Sequence, residues 1–285
     1  MILNGKRLAK DIRIKLKEKI TRMDEKPGLA VILVGDDPSS VLYVNMKEKD
    51  CKKVGILSKK IILEENTTQK ELLELIYTLN NDEQIHGILV QLPLPKHIDE
   101  NIIIDAISPE KDVDGFHPIN VGKMLLGRDC FLPATPAGII KLLKENKIEL
   151  EGKEIAVVGR SNIVGKPVAT LLTSENATVT VCHSRTKNLE NILRRSDIII
   201  MAIGKPEFLK GHMIRDDVVV VDVGTTYVDN RLYGDVEFES VVKKAEWISP
   251  VPGGVGPMTR ASLLENTYKA FLNSVSGTYE KRERE

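Results

Sequence analysis

Apolar positions along this chain follow two rhythms. Leu8, Ile12, Leu16 and Ile20 recur every four residues with charges between them, so residues 6–23 are predicted to form an amphipathic helix. Leu29-Ala30-Val31-Ile32-Leu33-Val34 is instead a continuous apolar run closed by Gly35, and its length and branching read as a buried strand. Asp36-Asp37-Pro38-Ser39-Ser40 is a turn and helix start, followed by a helix over 41–53 that stops near Gly55. A short strand is predicted at 60–64. Thr68-Gln69-Lys70-Glu71 has the form of a capping box opening a helix over 72–79. Gly87-Ile88-Leu89-Val90-Gln91 is a further strand, halted by Pro93 and Pro95. Thr135 reads as an N-cap with Pro136 at the first helical position, and the helix over 137–146 is expected to bridge the two halves. The second half alternates again, with strands at 155–158, 178–182, 198–202, 218–222 and 247–248 and a helix at 189–194. Strand alternating with helix favours an α/β fold of two open, mostly parallel sheets. The charged end over 280–285 is expected to be frayed.

Composition narrows the function class. The chain has 285 residues, enough for two domains with substantial cores. Lys plus Arg and Asp plus Glu are equal at 41, so the formal net charge is zero and no nucleic acid or membrane surface is implied as a partner. No apolar run approaches the length of a membrane span, and the N-terminal residues lack the apolar core of a signal peptide. The three cysteines, Cys51, Cys130 and Cys182, are far apart and have no metal-type spacing, so no metal is expected and a cytoplasmic location is the default.

The stretch that organises the chain is Gly159-Arg160-Ser161-Asn162-Ile163-Val164-Gly165-Lys166-Pro167, lying between a predicted strand and a predicted helix. That layout offers free backbone N–H groups and a positive helix end to a phosphate, although an ordinary strand-to-helix turn has the same form. Gly159, Arg160, Ser161, Val164 and Gly165 are therefore candidate cofactor contacts, although Ser161 stands where a strict dinucleotide fingerprint has its second glycine. About 20 residues past those glycines an NAD site usually carries an acidic residue for the ribose hydroxyls. Here Ser184 and Arg185 stand there instead. With Arg160 they offer a hydroxyl and cations to a 2′-phosphate, favouring NADP. Asp222-Val223-Gly224 ends a strong strand, so Asp222 and Gly224 are candidates for the ribose or nicotinamide side; a plain strand terminus is the alternative.

Tyr43 and Lys47 lie four apart and share one helix face. A helix-borne lysine carries protons where burial disfavours its charged form, but an exposed lysine in a charged run fits the same spacing. Gln91 falls at the carboxyl end of a strand, where open α/β sheets bind ligands, and can hydrogen-bond a lysine or a polar heterocycle, or simply end the strand in water. Asp114, in the loop Lys111-Asp112-Val113-Asp114-Gly115-Phe116, can accept from the ring N–H and amino groups of a heterocycle, or can satisfy its own turn. Pro250-Val251-Pro252-Gly253-Gly254-Val255-Gly256-Pro257-Met258-Thr259 is too rich in Gly and Pro for a helix or central strand. It suits close approach to a flat ring or a cis X–Pro bond, with a turn between domains as the alternative.

Together these stretches closely resemble the bifunctional methylenetetrahydrofolate dehydrogenase/cyclohydrolase family. The resemblance is carried nearly end to end by Val34-Gly35-Asp36-Asp37-Pro38-Ser39-Ser40 with Tyr43 and Lys47, by His86 through Pro95, by 111–116, by 159–167 and by 252–259. It implies a catalytic folate domain at 1–130 plus 260–285 and a Rossmann-type NADP domain at 131–259. It also implies tetrahydrofolate derivatives bound in the cleft between them, and a homodimer formed through the nucleotide domains. By that resemblance Lys47 is the catalytic lysine, Tyr43 its aromatic partner and Gln91 the residue that tunes it. Asp114 anchors the pterin, the loop bearing Pro252, Gly253 and Gly254 meets the substrate, and Arg160 and Ser184 hold the 2′-phosphate. The sequence departs from the family at Ala134, commonly cysteine, and at Arg260, commonly aliphatic. A related NADP dehydrogenase of another small acid, or a catalytically silent binding protein, are the alternatives, and turnover distinguishes them.

Overall fold

In a computed structural model, residues 1–229 and 231–282 are described, with side chains described to residue 276. The helices are α1 (Gly5–Thr21), α2 (Pro38–Val54), α3 (Gln69–Asn80), α4 (Glu100–Ala106), α5 (Pro118–Leu125), α6 (Ala134–Glu145), α7 (Gly165–Ser174), α8 (Leu189–Arg195), α9 (Phe238–Val241) and α10 (Val255–Arg282). The strands are β1 (Gly28–Val34), β2 (Leu57–Leu63), β3 (Gly87–Val90), β4 (Glu154–Val158), β5 (Thr178–Cys182), β6 (Ile198–Met201), β7 (Val219–Asp222), β8 (Thr226–Val228), β9 (Arg231–Tyr233) and β10 (Trp247–Ile248). The chain divides into two compact units, one of residues 11–132 and 263–285, the other of residues 1–10 and 133–262.

The first unit is built on a three-stranded parallel sheet ordered β2-β1-β3. Every residue of the central strand β1 is buried, which is why its sequence is an unbroken apolar run rather than an alternation. Ile32, Leu72, Ile76, Leu79, Ile88 and Ile103 fill the core between sheet and helices. Beyond β3 the backbone at 111–112 continues the sheet, and the Ile88 N–H donates to the Lys111 carbonyl at 2.8 Å. Gly87 permits this approach, because a Cβ there would lie 2.7 Å from Val113 Cγ1.

The second unit is built on a five-stranded parallel sheet ordered β10-β7-β6-β4-β5. The chain enters at β4, steps to β5 on one side, then places β6, β7 and β10 on the other. The order therefore reverses beside β4, and the crevice at the carboxyl ends of β4 and β6 is the topological switch point of the sheet. Ala156, Val158, Ile199, Met201, Val220 and Ile248 form its core. The N-terminus joins this unit, with the Leu3 N–H donating to the Ile248 carbonyl at 2.9 Å.

Local expectations hold where the signal is a cap or a run. Thr68 and Glu71 form a reciprocal capping box, and Gly55 closes α2 in the left-handed conformation at φ 88°. Others need correction. Pro38 starts α2 outright, since Asp37 caps it by accepting from the Ser40 N–H at 2.8 Å. Thr135 is not an N-cap but the second residue of α6, and its hydroxyl bonds the Thr259 hydroxyl at 2.9 Å. The 250–259 stretch is not helix-free, because α10 begins at Val255. Pro257 is tolerated in its first turn, where no intrahelical N–H bond is lost. The cis X–Pro bond anticipated there is Val251–Pro252, and a second lies at Leu92–Pro93. Part of the charged end expected over 280–285 lies outside the described residues.

Candidate active site

In the three-stranded unit, α2 turns Val44, Cys51 and Val54 into the interior. Tyr43 and Lys47 sit half-buried on an adjoining face. The Lys47 Nζ donates to Gln91 Oε1 at 2.9 Å. Gln91 is fixed at both ends of its side chain, since its Nε2 donates to the Leu92 carbonyl at 2.7 Å. Its own N–H continues the ladder to the Ile32 carbonyl at 2.8 Å, so the pair stands at the carboxyl end of β3. Tyr43, Lys47 and Gln91 are thus brought to one end of one sheet, the end at which such sheets bind ligands.

Asp112 and Asp114 are two residues apart and do opposite things. Asp112 is buried, and its carboxylate accepts from the N–H groups of Gly115 (3.0 Å), Phe116 (3.2 Å) and His117 (2.8 Å) and from Asn120 Nδ2 (2.9 Å). It therefore shapes the loop. Asp114 accepts no hydrogen bond among the described residues. Burial pushes its carboxyl up to about 6, with Lys47 pulling down and Asp112 adding to the rise. A carboxylate so placed, still partly accessible, is disposed to gain donors from a ligand. Sequence reasoning singled out Asp114 but not the bracing part of Asp112, because two aspartates in one loop look alike until their donors are known.

In the five-stranded unit, β4 and β5 run in register with Val158 opposite Cys182. Arg160 and Ser184 each follow two residues beyond that pair, and Arg160, Ser184 and Arg185 are all exposed there. Gly159 and Gly165 allow close packing. A Cβ on Gly159 would lie 2.1 Å from the Ala202 carbonyl oxygen, and one on Gly165 would lie 2.3 Å from the Gly159 carbonyl oxygen. The helix start is less open than its sequence predicts. The Ser161 hydroxyl accepts from the Val164 and Gly165 N–H groups at 3.2 and 3.3 Å, and its carbonyl accepts from Lys166 at 3.1 Å. Serine in place of the second glycine thus supplies an internal cap, so these N–H groups are not free.

Asp222 is 3% exposed and faces inward, accepting from the N–H groups of Gly224 (3.0 Å), Asp235 (2.8 Å) and Val236 (3.0 Å). Burial pushes its carboxyl up to about 7, while those donors pull the other way. Gly224 must be glycine, since a Cβ would lie 2.3 Å from Asp235 Oδ1. The Gly-Gly loop is held within the same unit. The Gly254 N–H donates to the Pro250 carbonyl at 2.8 Å, and the Gly253 carbonyl accepts from Lys6 at 2.9 Å. Among the described residues no group of three or more His, Cys, Asp or Glu is placed to hold a metal, and no helix is long and apolar enough to cross a membrane.

A Rossmann-type sheet with a glycine turn at its switch point, together with a lysine–amide pair at the end of a second parallel sheet, defines a nucleotide-dependent α/β enzyme of two domains. Residues 3–114 match the catalytic domain of tetrahydrofolate dehydrogenase/cyclohydrolase, and residues 133–275 match its NAD(P)-binding domain. The bifunctional protein FolD of Acetivibrio thermocellus is 57% identical over 273 residues, 94% of this chain and 96% of that protein. The crystal structure of the bifunctional FolD enzyme from Campylobacter jejuni superposes with a TM-score of 0.94 at 52% identity, covering 96% of this chain and 99% of that one. The Trypanosoma brucei dehydrogenase-cyclohydrolase, solved with NADP cofactor and inhibitor, gives a TM-score of 0.93 at 40% identity and covers 96% and 98%. The chain belongs to the bifunctional methylenetetrahydrofolate dehydrogenase/cyclohydrolase family, with NAD(P)-dependent activity on folate substrates.

Proposed function

We propose that this enzyme uses NADP in preference to NAD, that it carries the product of oxidation on to 10-formyltetrahydrofolate, and that Lys47 handles the protons of the second step. The observation that carries the reading is the 2.9 Å bond from Lys47 to Gln91 at the carboxyl end of β3, beside a donorless Asp114. Three exposed groups, Arg160, Ser184 and Arg185, support the cofactor choice, since they supply cations and a hydroxyl beyond β4 and β5 with no carboxylate among them. Gly159 and Gly165 keep the turn between β4 and α7 tightly packed at the place proposed for the nucleotide. When bound, the nucleotide accepts a hydride from the one-carbon bridge of 5,10-methylenetetrahydrofolate.

The chain's own contribution to that first step is alignment, because the N5 and N10 lone pairs of the folate stabilise the cation as it forms. Asp114 accepts hydrogen bonds from the amino and ring N–H groups of the pterin, which repay its burial. Water then attacks the methenyl carbon, loses a proton, and the ring opens at the protonated nitrogen. Lys47 takes the proton from the attacking water and returns it to the leaving nitrogen, while Gln91 holds the Nζ on line. Tyr43, one turn earlier on α2, lines the folate beside Lys47. A homodimer rests on the family resemblance, substrate contact at Pro252, Gly253 and Gly254 on the constrained Gly-Pro loop, ribose-side contacts at the backbone of Asp222 and Gly224 on their place at the end of β7, and a cytoplasmic location on the sequence alone.

Turnover of 5,10-methylenetetrahydrofolate with NADP⁺ and with NAD⁺, followed by absorbance and by identification of the final folate, tests the reading. NADP⁺-dependent oxidation ending in 10-formyltetrahydrofolate is expected. Equal efficiency with both nucleotides would overturn the cofactor assignment. Accumulation of methenyl product without accelerated ring opening would overturn the role of Lys47.

A further inference from the structure

Two buried carboxylates beyond β6 and β7 form a relay that the dehydrogenase chemistry does not itself require. Asp222, at the end of β7, grips the backbone of Asp235 and Val236. Asp235 is fully buried and in turn accepts from three successive N–H groups of the segment after β6. These are Ile203 at 2.6 Å, Gly204 at 3.1 Å and Lys205 at 2.7 Å. Consecutive N–H groups converging on one point form a concavity suited to an anion. Here the chain fills it with its own side chain. The fit leaves no slack, since a Cβ on Gly234 would lie 1.9 Å from Asp222 Oδ2.

The segment so held stands at a functional edge. β6 neighbours β4 on the side where the strand order reverses, so 203–205 lines one wall of the switch-point crevice and the 159–165 turn lines the other. The two walls touch through Gly159 and the Ala202 carbonyl, with no room for a Cβ between them. A shift of 203–205 therefore changes the width of the crevice.

We infer that Asp235 is a positioning residue for the nicotinamide nucleotide: its carboxylate fixes the backbone of 203–205 as a wall of the nucleotide crevice, while Asp222 holds the backbone N–H of Asp235. The inference rests on the nucleotide lying at the switch point. An amide at this position keeps the shape but turns an N–H₂ donor towards N–H donors, so at least one of the three bonds is lost and the wall relaxes.

The test uses full-length Asp235→Asn, measuring KM and kcat for NADP⁺ in methylene oxidation, nucleotide-free hydrolysis of methenyltetrahydrofolate, and the rise in Tm on adding NADP⁺. The expected result is an NADP⁺ KM raised at least about tenfold, an NADP⁺-induced Tm rise that shrinks, and a hydrolysis rate that tracks only the folded fraction. A folded variant with an NADP⁺ KM within twofold of the parent overturns the inference. So does a parallel fall of both activities, which marks a merely structural role. If Asp235→Asn does not fold, Asp222→Asn replaces it, leaving the 203–205 bonds but loosening the backbone of Asp235. An NADP⁺ KM raised about threefold then supports the relay, and no change overturns it. Gly159→Ala separates the two layers of the argument. If it impairs NADP⁺ use while Asp235→Asn does not, only Asp235 is wrongly assigned; if neither does, the placement of the nucleotide fails as well.

Discussion

In the three-stranded unit the groups proposed for chemistry are side chains, Lys47, Gln91 and Asp114, carried by α2, β3 and the 112–117 loop. In the five-stranded unit the proposed nucleotide edge combines close-packed backbone at Gly159, Gly165 and Gly224 with the exposed side chains of Arg160, Ser184 and Arg185. Both units hold these edges with buried carboxylates that face their own chain. Asp112 takes four donors in one unit, and Asp222 and Asp235 take three each in the other. The difference follows from the work. Ring opening moves protons and needs groups that carry them, whereas hydride transfer needs two flat rings held in line. A carboxylate saturated with N–H donors makes rigid backbone, and one left without donors is ready for a ligand.

The comparison predicts that lesions in the two units separate the activities. The largest effect is expected from Lys47→Met, which keeps an apolar stem and removes the proposed proton carrier. Hydrolysis of methenyltetrahydrofolate should fall at least about 100-fold, with NADP⁺ affinity unchanged by thermal shift. Full hydrolysis in this variant would remove the side-chain half of the comparison. Next comes Gly159→Ala, where the backbone lies at φ 132° and the new Cβ would overlap the Ala202 carbonyl. A stability loss on the order of 2–4 kcal/mol is expected, with NADP⁺ KM raised and nucleotide-free hydrolysis retained in the folded fraction. Loss of both activities in proportion would show that the two edges are not independent.

Much of this was legible in the sequence where a residue type has one physical use. Continuous apolar runs marked the buried strands, Thr68 and Glu71 marked a cap, and Gly55 marked a helix end. Lys47 and Gln91 were legible because a helix face and a strand end each fix a position. Asp235 was not, since an aspartate between Gly234 and Val236 reads as a turn until its three donors come from a segment thirty residues earlier. Ser161 was ambiguous for a related reason. Its hydroxyl can serve a ligand or the helix, and only geometry shows that it also accepts from the Val164 and Gly165 N–H groups. Proline was also ambiguous, because Pro257 breaks a helix interior but suits the first turn of α10.

A finer test contrasts the two aspartates of the 112–114 loop through pH. The native pKa of Asp114, about 6, lies above the ordinary value of 3.8, so the native state holds its proton longer than the unfolded chain. Stability contributed by this group is full below about pH 4, is lost as pH rises towards about 6, and is flat beyond. Asp114→Asn removes that loss. The variant should be more stable than the parent at pH 7 by an amount on the order of 1–3 kcal/mol, and less active because the carboxylate proposed to hold the pterin is gone. Urea midpoints at pH 4 and pH 7 measure the first and turnover the second. Equal stability at pH 7 would mean that the carboxylate is solvated more fully than its surroundings imply. Asp112→Asn is expected to do the reverse, costing stability by leaving an N–H donor unpaired.

The smallest effect is expected from a change that touches neither edge. Thr68 Oγ1 accepts from the Glu71 N–H at 3.3 Å, and Glu71 Oε2 accepts from the Thr68 N–H at 2.8 Å. These bonds hold the first turn of α3, whose Leu72, Ile76 and Leu79 pack into the core of the three-stranded unit. Thr68→Ala removes the cap and should cost about 1 kcal/mol, read as a shift in urea midpoint with unchanged slope. Because α3 supplies core and not chemistry, both activities at 25 °C should stay within twofold. That outcome separates stability from site geometry within the unit that carries Lys47, and gives the baseline against which the loss in Lys47→Met is judged. A fall in hydrolysis larger than the folded fraction explains would show instead that the Lys47–Gln91 pair depends on the packing of α3, and the site would then extend deeper into the unit than its side chains alone.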